Sequence, residues 1–464
     1  MAGLYDLSAT ALIDGFRNKT FSPSEVLDDV LGRIALWEPH INALYDFRPE
    51  EAKAMARASD ARWQKGEPIG RLDGVPITIK ENVATKGVPI PLGTAVTPLV
   101  PAPVDAPPAA RVREAGAVFV SKTTMPDFGM LSSGLSSFHG ITRNPWDLSQ
   151  NTGGSSAGAG AAGAAGYGPL HIGTDIGGSV RLPACWCGIF ALKPSLGRIP
   201  IDPPYVGRVT GPMTRTVEDA ALMMSVLSQP DARDSMSLPP ADIPWMALDG
   251  DVKGLKIGLQ LDASYGLPVD DDVRRVVIEA ARAFEAAGAI VTEVGSTVTR
   301  ELHDGIDTFW RARMWDEVSK LPPSEQAKIL PFILKWAEGG AGVSGVEAVR
   351  GFNATMAIRA NAAKLFQQVD YVISPVAPNV SYPADLAAPT DDPSLPLDHI
   401  GFTLPWNMAE NPAASVPGGF SANGFPIGVQ IAGRRFDDLG VLRMAKAFEA
   451  MRPPLRAWPE PPAA

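Results

Sequence analysis

A serine behind a glycine pair and two residues ahead of an arginine, in "GTDIGGSVRLPA" (residues 173–184), is the first candidate for chemistry in this 464-residue chain. Ser179 reads in two ways: as a nucleophile on a backbone built to receive negative charge, or as a polar residue of a tight turn, for which Gly, Asp and Ser are the usual residues. The stretch by itself favours the turn. Attack on a carbonyl also needs a group to take the nucleophile's proton and donors aimed at the developing oxyanion. Histidine is the usual acceptor, but His40, His139, His171, His303 and His399 lie in no triad context, and no "G-x-S-x-G" elbow is present. Each histidine reads as a structural or surface residue.

Lysine is the alternative acceptor. In "GVPITIKEN" the alternation puts Val75, Ile77 and Ile79 on one face and Thr78 and Lys80 on the other, with the charge at the end of a strand whose other residues belong in a core. Such a lysine is either half exposed at the strand tip or held in a dry site, and position alone favours exposure because buried lysines are rare. As a base it must be neutral near pH 7, about three pH units below its free value, which only a pocket with few competing anions can impose. A second cluster, "NTGGSSAGAGAAGAAG" (151–166), sets Ser155 and Ser156 before a Gly/Ala run that reads as a helix with serine at its N-terminus. Each internal glycine costs that helix up to about 1 kcal/mol relative to alanine, so close approach of another element must offset it. The glycines lack the "G-K-[ST]" ending and the "G-x-G-x-x-G" order after a strand, which argues against nucleotide binding.

The elements that position these residues follow from pattern. "SPSEVLDDVLGRIALW" has Ser22 as cap, Pro23 at the first helical position, Glu25 three residues after the cap, and Val26, Leu27, Val30, Leu31 and Ile34 at helical spacing. "RVREAGAVFVSK" and "VRRVVIEAARAFEAAGAIVTEV" each predict an amphipathic helix, a glycine stop at Gly116 or Gly288, and a β-branched strand. "VPITIK", "LKIGLQL", "DYVISPV" and "PIGVQIAG" add short apolar strands of the kind covered on both faces. The expected fold is α/β, with a large mixed, mostly parallel-type sheet between helical layers. One domain over 1–464 is expected, with a helical region at about 1–65 and a variable excursion at about 300–360; the proline-rich Ser228–Trp245 stretch is the one candidate boundary.

Composition bounds the partners. Hydrophobic residues make up 45% and charged residues 20%, as in globular chains. A formal charge of −10 opposes sequence-independent attraction to phosphate backbones, so nucleic acid is not an expected partner. No apolar run of membrane-spanning length and no signal-peptide pattern occur, so a cytoplasmic protein without membrane contact is expected. Cys185 and Cys187 are too close for an ordinary disulfide and too few for zinc, and read as packing residues.

Taken with "TRNPWD", "PWNMAENPAASVPGGF" and "PIGVQIAG", the lysine, glycine-serine and nucleophile stretches resemble, in order and spacing, the amidase signature family of serine hydrolases over nearly the whole chain. The resemblance implies a Ser-cisSer-Lys triad, with Ser179 as nucleophile, Ser155 as bridging serine in a cis peptide near Gly154, and Lys80 as base. It implies an oxyanion hole of main-chain N–H groups at Ile176, Gly177, Gly178 and Ser179, which glycine dihedrals permit. Ser156 is expected to support the triad, Asp175 and Arg181 to brace the nucleophile loop, and Thr152, Gly153 and Met130 to line the substrate cleft. No metal or cofactor is required, the substrate is a small amide, and a homodimer is left open.

Departures from the family pattern narrow the expectation. "GLSS" (134–137) stands where transamidating subunits usually carry "T-E-N", which weakens a role as a glutaminase subunit. Glu410 and Asn411 replace a glycine often expected before "PAASVP". Phe309, Trp310, Trp315, Phe332 and Trp336 of the excursion either line an aryl or apolar pocket or pack the excursion onto the body, and packing is favoured. The expected activity is hydrolysis of an aryl or apolar small amide to acid plus ammonia or amine through a seryl acyl-enzyme; the rivals are a non-catalytic binding protein and a glutamine-hydrolysing subunit of an amidotransferase complex.

Overall fold

Eleven strands form one continuous sheet in the computed structural model, which describes residues 3–462. From edge to edge they are Leu44–Tyr45, Val118–Thr123, Pro76–Lys80, Leu170–Asp175, Val209–Thr214, Phe190–Lys193, Ala413–Phe420, Pro426–Gly433, Tyr371–Pro375, Lys256–Leu259 and Ile290–Glu293. Pro76–Lys80 runs parallel to both neighbours, and so does Lys256–Leu259. These are the two flanks read from sequence, each with a crossover helix, Pro107–Glu114 or Asp271–Ala286, ended at Gly116 or Gly288 with positive φ.

The α/β class and the mixed sheet are as expected, but the balance of directions is not. Six pairings are antiparallel and four parallel. The helix-then-strand signal reported only the flanks. Between the flanks every pairing is antiparallel: one is the hairpin between Ala413–Phe420 and Pro426–Gly433, and the others join strands well separated in sequence, whose order a helix-then-strand pattern does not report.

Strand alternation divides the interior into two layers. Ile77, Ile79, Phe190, Leu192, Val429 and Ile431 enter one apolar cluster with residues of the helices Ala9–Arg17, Val217–Leu227, Asp271–Ala286 and Asp438–Met451. Ala191 enters a cluster on the other face with Ala159 and Ala184, from the helices Ala157–Ala165 and Arg181–Cys187. Lys80 and Thr78 therefore point toward the Gly/Ala helix. The first long helix runs Pro23–Ile41, with the full capping box between Ser22 and Glu25. The excursion consists of helices Arg300–Val318, Pro323–Gln326, Pro331–Glu338 and Gly345–Leu365. No helix among the described residues is long and apolar enough to cross a membrane.

Every residue of the helix Ala157–Ala165 is buried, and its glycines are what let neighbours close on it. A Cβ on Gly158 would stand 2.2 Å from the Ala43 carbonyl oxygen and 2.5 Å from the Thr124 nitrogen. Gly163 packs in the same way against Ile189, and Gly160 against Pro183. Gly158→Ala should therefore destabilise the protein by about 2 kcal/mol, since main chain cannot step aside for an added methyl. Gly32→Ala should do the reverse by up to about 1 kcal/mol, because Gly32 is in a helix with nothing within 4 Å of the new methyl. Urea unfolding of both variants checks the pair; equal effects would contradict the packing account.

Candidate active site

Three separated segments converge at the end of the Pro76–Lys80 strand. Lys80 is its last residue, and Leu170–Asp175 is its parallel neighbour, so Thr174 and Asp175 come up beside it. The loop before the Gly/Ala helix brings Ser155 and Ser156 against the same point. Lys80 is fully buried, which overturns the exposed position favoured from sequence. Period-two alternation gives the face of a residue but not what covers that face, and here the cover is a helix of small residues.

Lys80 Nζ lies 2.8 Å from Ser155 Oγ, 3.1 Å from Ser156 Oγ and 3.0 Å from Thr174 Oγ1. All three partners are hydroxyls. Burial pushes its pKa down to about 7, with Arg208 assisting, against the raising influence of Asp175 and Glu81. Ser156 Oγ donates to the Thr174 carbonyl at 3.2 Å and accepts from the Thr174 N–H at 3.3 Å. Its proton is thereby committed, so Lys80 must donate to it. Thr174 Oγ1 also receives a hydrogen bond from Asn82 Nδ2 at 3.1 Å. Ser155 Oγ, the nearest partner, has no such commitment and can offer its proton to the amine lone pair. Ser156 occupies the N-cap position of the Gly/Ala helix yet caps nothing with its side chain; it is spent on the lysine instead.

The Gly154–Ser155 peptide is cis, as the resemblance implied. Ser156 N–H donates to the Ser179 carbonyl at 3.1 Å, tying the two serine loops together. Ser179 is 9% exposed, and among the described residues its hydroxyl makes no hydrogen bond. The N–H groups of Ile176, Gly177 and Ser179 likewise meet no protein acceptor among the described residues, which leaves three of the four donors expected of the oxyanion nest free. Gly178 departs from the expectation. Its N–H donates to Asp175 Oδ1 at 2.8 Å, which withdraws it from the nest; its φ of +134 places it there.

Asp175 and Arg181 brace this loop. The fully buried guanidinium meets both carboxylate oxygens at 3.0 Å. Asp175 also accepts from Val180 N–H at 3.1 Å and Asn407 Nδ2 at 2.9 Å, and Arg181 donates to the Thr403 carbonyl at 3.0 Å and Gln430 Oε1 at 2.8 Å. Burial alone would raise the Asp175 carboxyl, but the guanidinium and the N–H donors outweigh it and hold it at about 2. Thr403, Asn407 and Gln430 were not singled out from sequence, although "PWNMAENPAASVPGGF" and "PIGVQIAG" carry two of them.

The expected cleft residues divide. Met130 is half-buried and packs in the same cluster as Ile176. Thr152 and Gly153 are closed off from solvent: Thr152 Oγ1 donates to the Gly153 carbonyl at 2.9 Å, and a Cβ on Gly153 would stand 2.4 Å from the Trp186 ring. Both are thus packed within the serine loop, as buried as Ser155 and Lys80. Cys185 and Cys187 are buried and free, as packing residues should be. Trp336 packs with its Nε1 donating to Asp307 at 2.8 Å, and Phe309 sits edge-on to Phe352. Trp310 is different: with Ile400 it lies against Gly177, where an added Cβ would be 3.5 Å from the indole.

The amidase family model matches residues 25–442. The chain belongs to the amidase signature family. It is 34% identical to an acylamidase of Rhodococcus erythropolis, over 97% of this chain and 96% of that protein. It is also 34% identical to a glutamyl-tRNA(Gln) amidotransferase subunit from Chloroflexus aurantiacus, over 97% of this chain and 98% of that one. A solved bacterial aryl acylamidase of the amidase signature enzymes superimposes with a TM-score of 0.87 at 29% identity, covering 96% of each chain. The chain is an amidohydrolase by this membership.

Within this amidase the unusual late loop becomes legible. Glu410 has φ +65, which glycine would adopt freely. The glutamate is held by ion pairs to Arg359 of the excursion and, at 2.6 Å, to Arg435. Asn411 Nδ2 donates to the Gly433 carbonyl at 2.8 Å.

Arg181→Met tests the brace. It leaves the Asp175 carboxylate buried without its cation, and removing one partner of a buried pair costs about 3–5 kcal/mol. The urea midpoint should fall accordingly; a loss below about 1 kcal/mol would mean the loop does not depend on the pair.

Proposed function

We propose that this amidase hydrolyses small aryl or apolar amides with Ser179 as nucleophile, Ser155 as proton relay and Lys80 as base. The observation that carries the reading is the buried Lys80 amine, surrounded by hydroxyls and with its pKa lowered to about 7. The Ser155 hydroxyl proton moves to Nζ, the Ser179 proton moves to Ser155 Oγ, and Ser179 Oγ bonds to the amide carbon. The carbonyl oxygen takes the negative charge and accepts from the Ile176, Gly177 and Ser179 N–H groups; one such donor is worth about 3 kcal/mol of barrier. When the C–N bond breaks, the proton held on Lys80 returns through Ser155 to the leaving nitrogen. Water, deprotonated along the same relay, then attacks the Ser179 ester and releases the acid. The link between the two serine hydroxyls forms as substrate binds, since catalytic hydrogen bonds commonly tighten in that complex.

Trp310 and Ile400 over Gly177 support an apolar or aryl acyl group, in keeping with the likeness to acylamidases. A second reading, glutamine hydrolysis within a larger complex, is favoured by the equal identity to the amidotransferase component.

A fluorophosphonate probe should label Ser179 in the purified chain, and Ser179→Ala, Ser155→Ala and Lys80→Ala should each lose labelling by a factor of about a thousand or more. The labelling rate should climb nearly tenfold per pH unit from pH 5 and level off near pH 7, because the amine must be neutral and becomes so as pH rises through its lowered pKa. Butyryl anilide should be cleaved and glutamine spared. Turnover of glutamine alone would move the assignment to the second reading; no labelling at all would end the hydrolytic one.

A further inference from the structure

Two guanidiniums stand beside the nest and, among the described residues, neither has a carboxylate within ion-pair distance. Arg208 immediately precedes the strand Val209–Thr214, whose Val209 pairs with Asp175 in antiparallel register. That register sets Arg208 opposite Ile176, the first residue of the nest. Its side chain lines a small cavity with Thr174 and Asn82, the two side chains that meet behind Lys80. Arg313 lies on the helix Arg300–Val318, three residues after Trp310 and so on the same face. Since Trp310 covers Gly177, Arg313 comes to the same rim, and its guanidinium carbon lies 4.0 Å over the Tyr205 ring.

Both arginines are half-buried. Burial lowers the Arg208 pKa, and the Arg313 charge lowers it further, so the two cations feel each other. Arg208 donates to the Pro203 carbonyl, and among the described residues neither arginine forms an ion pair. By contrast, Arg311, two residues earlier on the same helix, is paired with Asp307 at 2.6 Å, and Arg233 with Asp231 at 2.7 Å. Asp234 and Asp202 favour the Arg208 charge from a distance without pairing with it. Asp234 is taken by the Ile201 and Met236 N–H groups at 3.0 and 2.7 Å, and Asp202, on the rim of the same cavity, is exposed to solvent. Two like charges held together out of full solvent repel, and an anion placed between them removes that repulsion while accepting charge-assisted hydrogen bonds.

We propose that Arg208 and Arg313 form a carboxylate-binding subsite beside the Ile176–Gly177 nest, so that the preferred substrate is an apolar or aryl amide carrying an anionic group. The inference rests on Ser179 being the nucleophile, because the subsite is located relative to it. It extends that reading from an amide with apolar surroundings to one with a charged end.

Three amides test it: N-butyryl-4-nitroaniline, which is neutral; N-succinyl-4-nitroaniline, with the carboxylate on the acyl side; and N-butyryl-4-aminobenzoate, with it on the amine side. One of the two anionic amides should exceed the neutral one in kcat/KM by about tenfold or more, the scale of a charge-assisted contact. Arg208→Gln and Arg313→Gln should each cut that ratio by about tenfold, mainly through KM of the anionic amide. A wild-type preference for the neutral amide over both anionic ones, which needs no variant, overturns the subsite. So does an anionic preference that survives both substitutions. If Ser179 takes the fluorophosphonate label in these cases, only the subsite fails. If it does not, and no amide is turned over, the nucleophile assignment fails and takes the subsite with it.

Discussion

The cost of holding one primary amine away from water organises this molecule. A lysine driven from 10.5 to about 7 corresponds to roughly 5 kcal/mol of differential stabilisation against its charged form. Burial supplies this only if the anions around it are kept in check. Asp175 is the one that acts on it most strongly, favouring the ammonium, with Glu81 after it. The bidentate pairing with Arg181 sets a cation directly against that carboxylate, and Arg208 is the cation that lowers the amine's pKa further. The same pairing fixes the nucleophile loop through the Gly178 and Val180 N–H groups.

The packing serves the same end. Small residues in the Ala157–Ala165 helix let main chain approach close enough to exclude water from the lysine. Ser156 gives up the usual capping role of a helix-start serine and directs its proton to the Thr174 carbonyl. This leaves Ser155 as the nearest hydroxyl with a free proton beside the amine. The helix starts uncapped, its other face stays dry, and the stability lost at its end is offset by the neighbours it packs against.

Much of this was legible in the sequence. Lys80, Ser155 and Ser179 stood out by type and motif, and the helix-strand units at Gly116 and Gly288 are where the pattern put them. What alternation could not reveal was which strand lies beside which. Thr174 was therefore overlooked although it adjoins Asp175, because only the pairing of Pro76–Lys80 with Leu170–Asp175 brings it to the amine. The motif alone groups Gly178 with the nest donors, whereas a carboxylate three residues earlier claims its N–H. Arg208 gave no local signal at all. Its placement opposite Ile176 depends on sheet register across two non-sequential strands.

The uncharged amine can be observed directly. In protein carrying 13C at lysine Cε, the resonance absent from Lys80→Met belongs to Lys80, and its shift follows protonation of the adjacent nitrogen. It should titrate with a midpoint near pH 7, far below the exposed lysines. A resonance that stays in its protonated position up to pH 10 would contradict the account, because an ammonium at Lys80 has no lone pair to take the Ser155 proton.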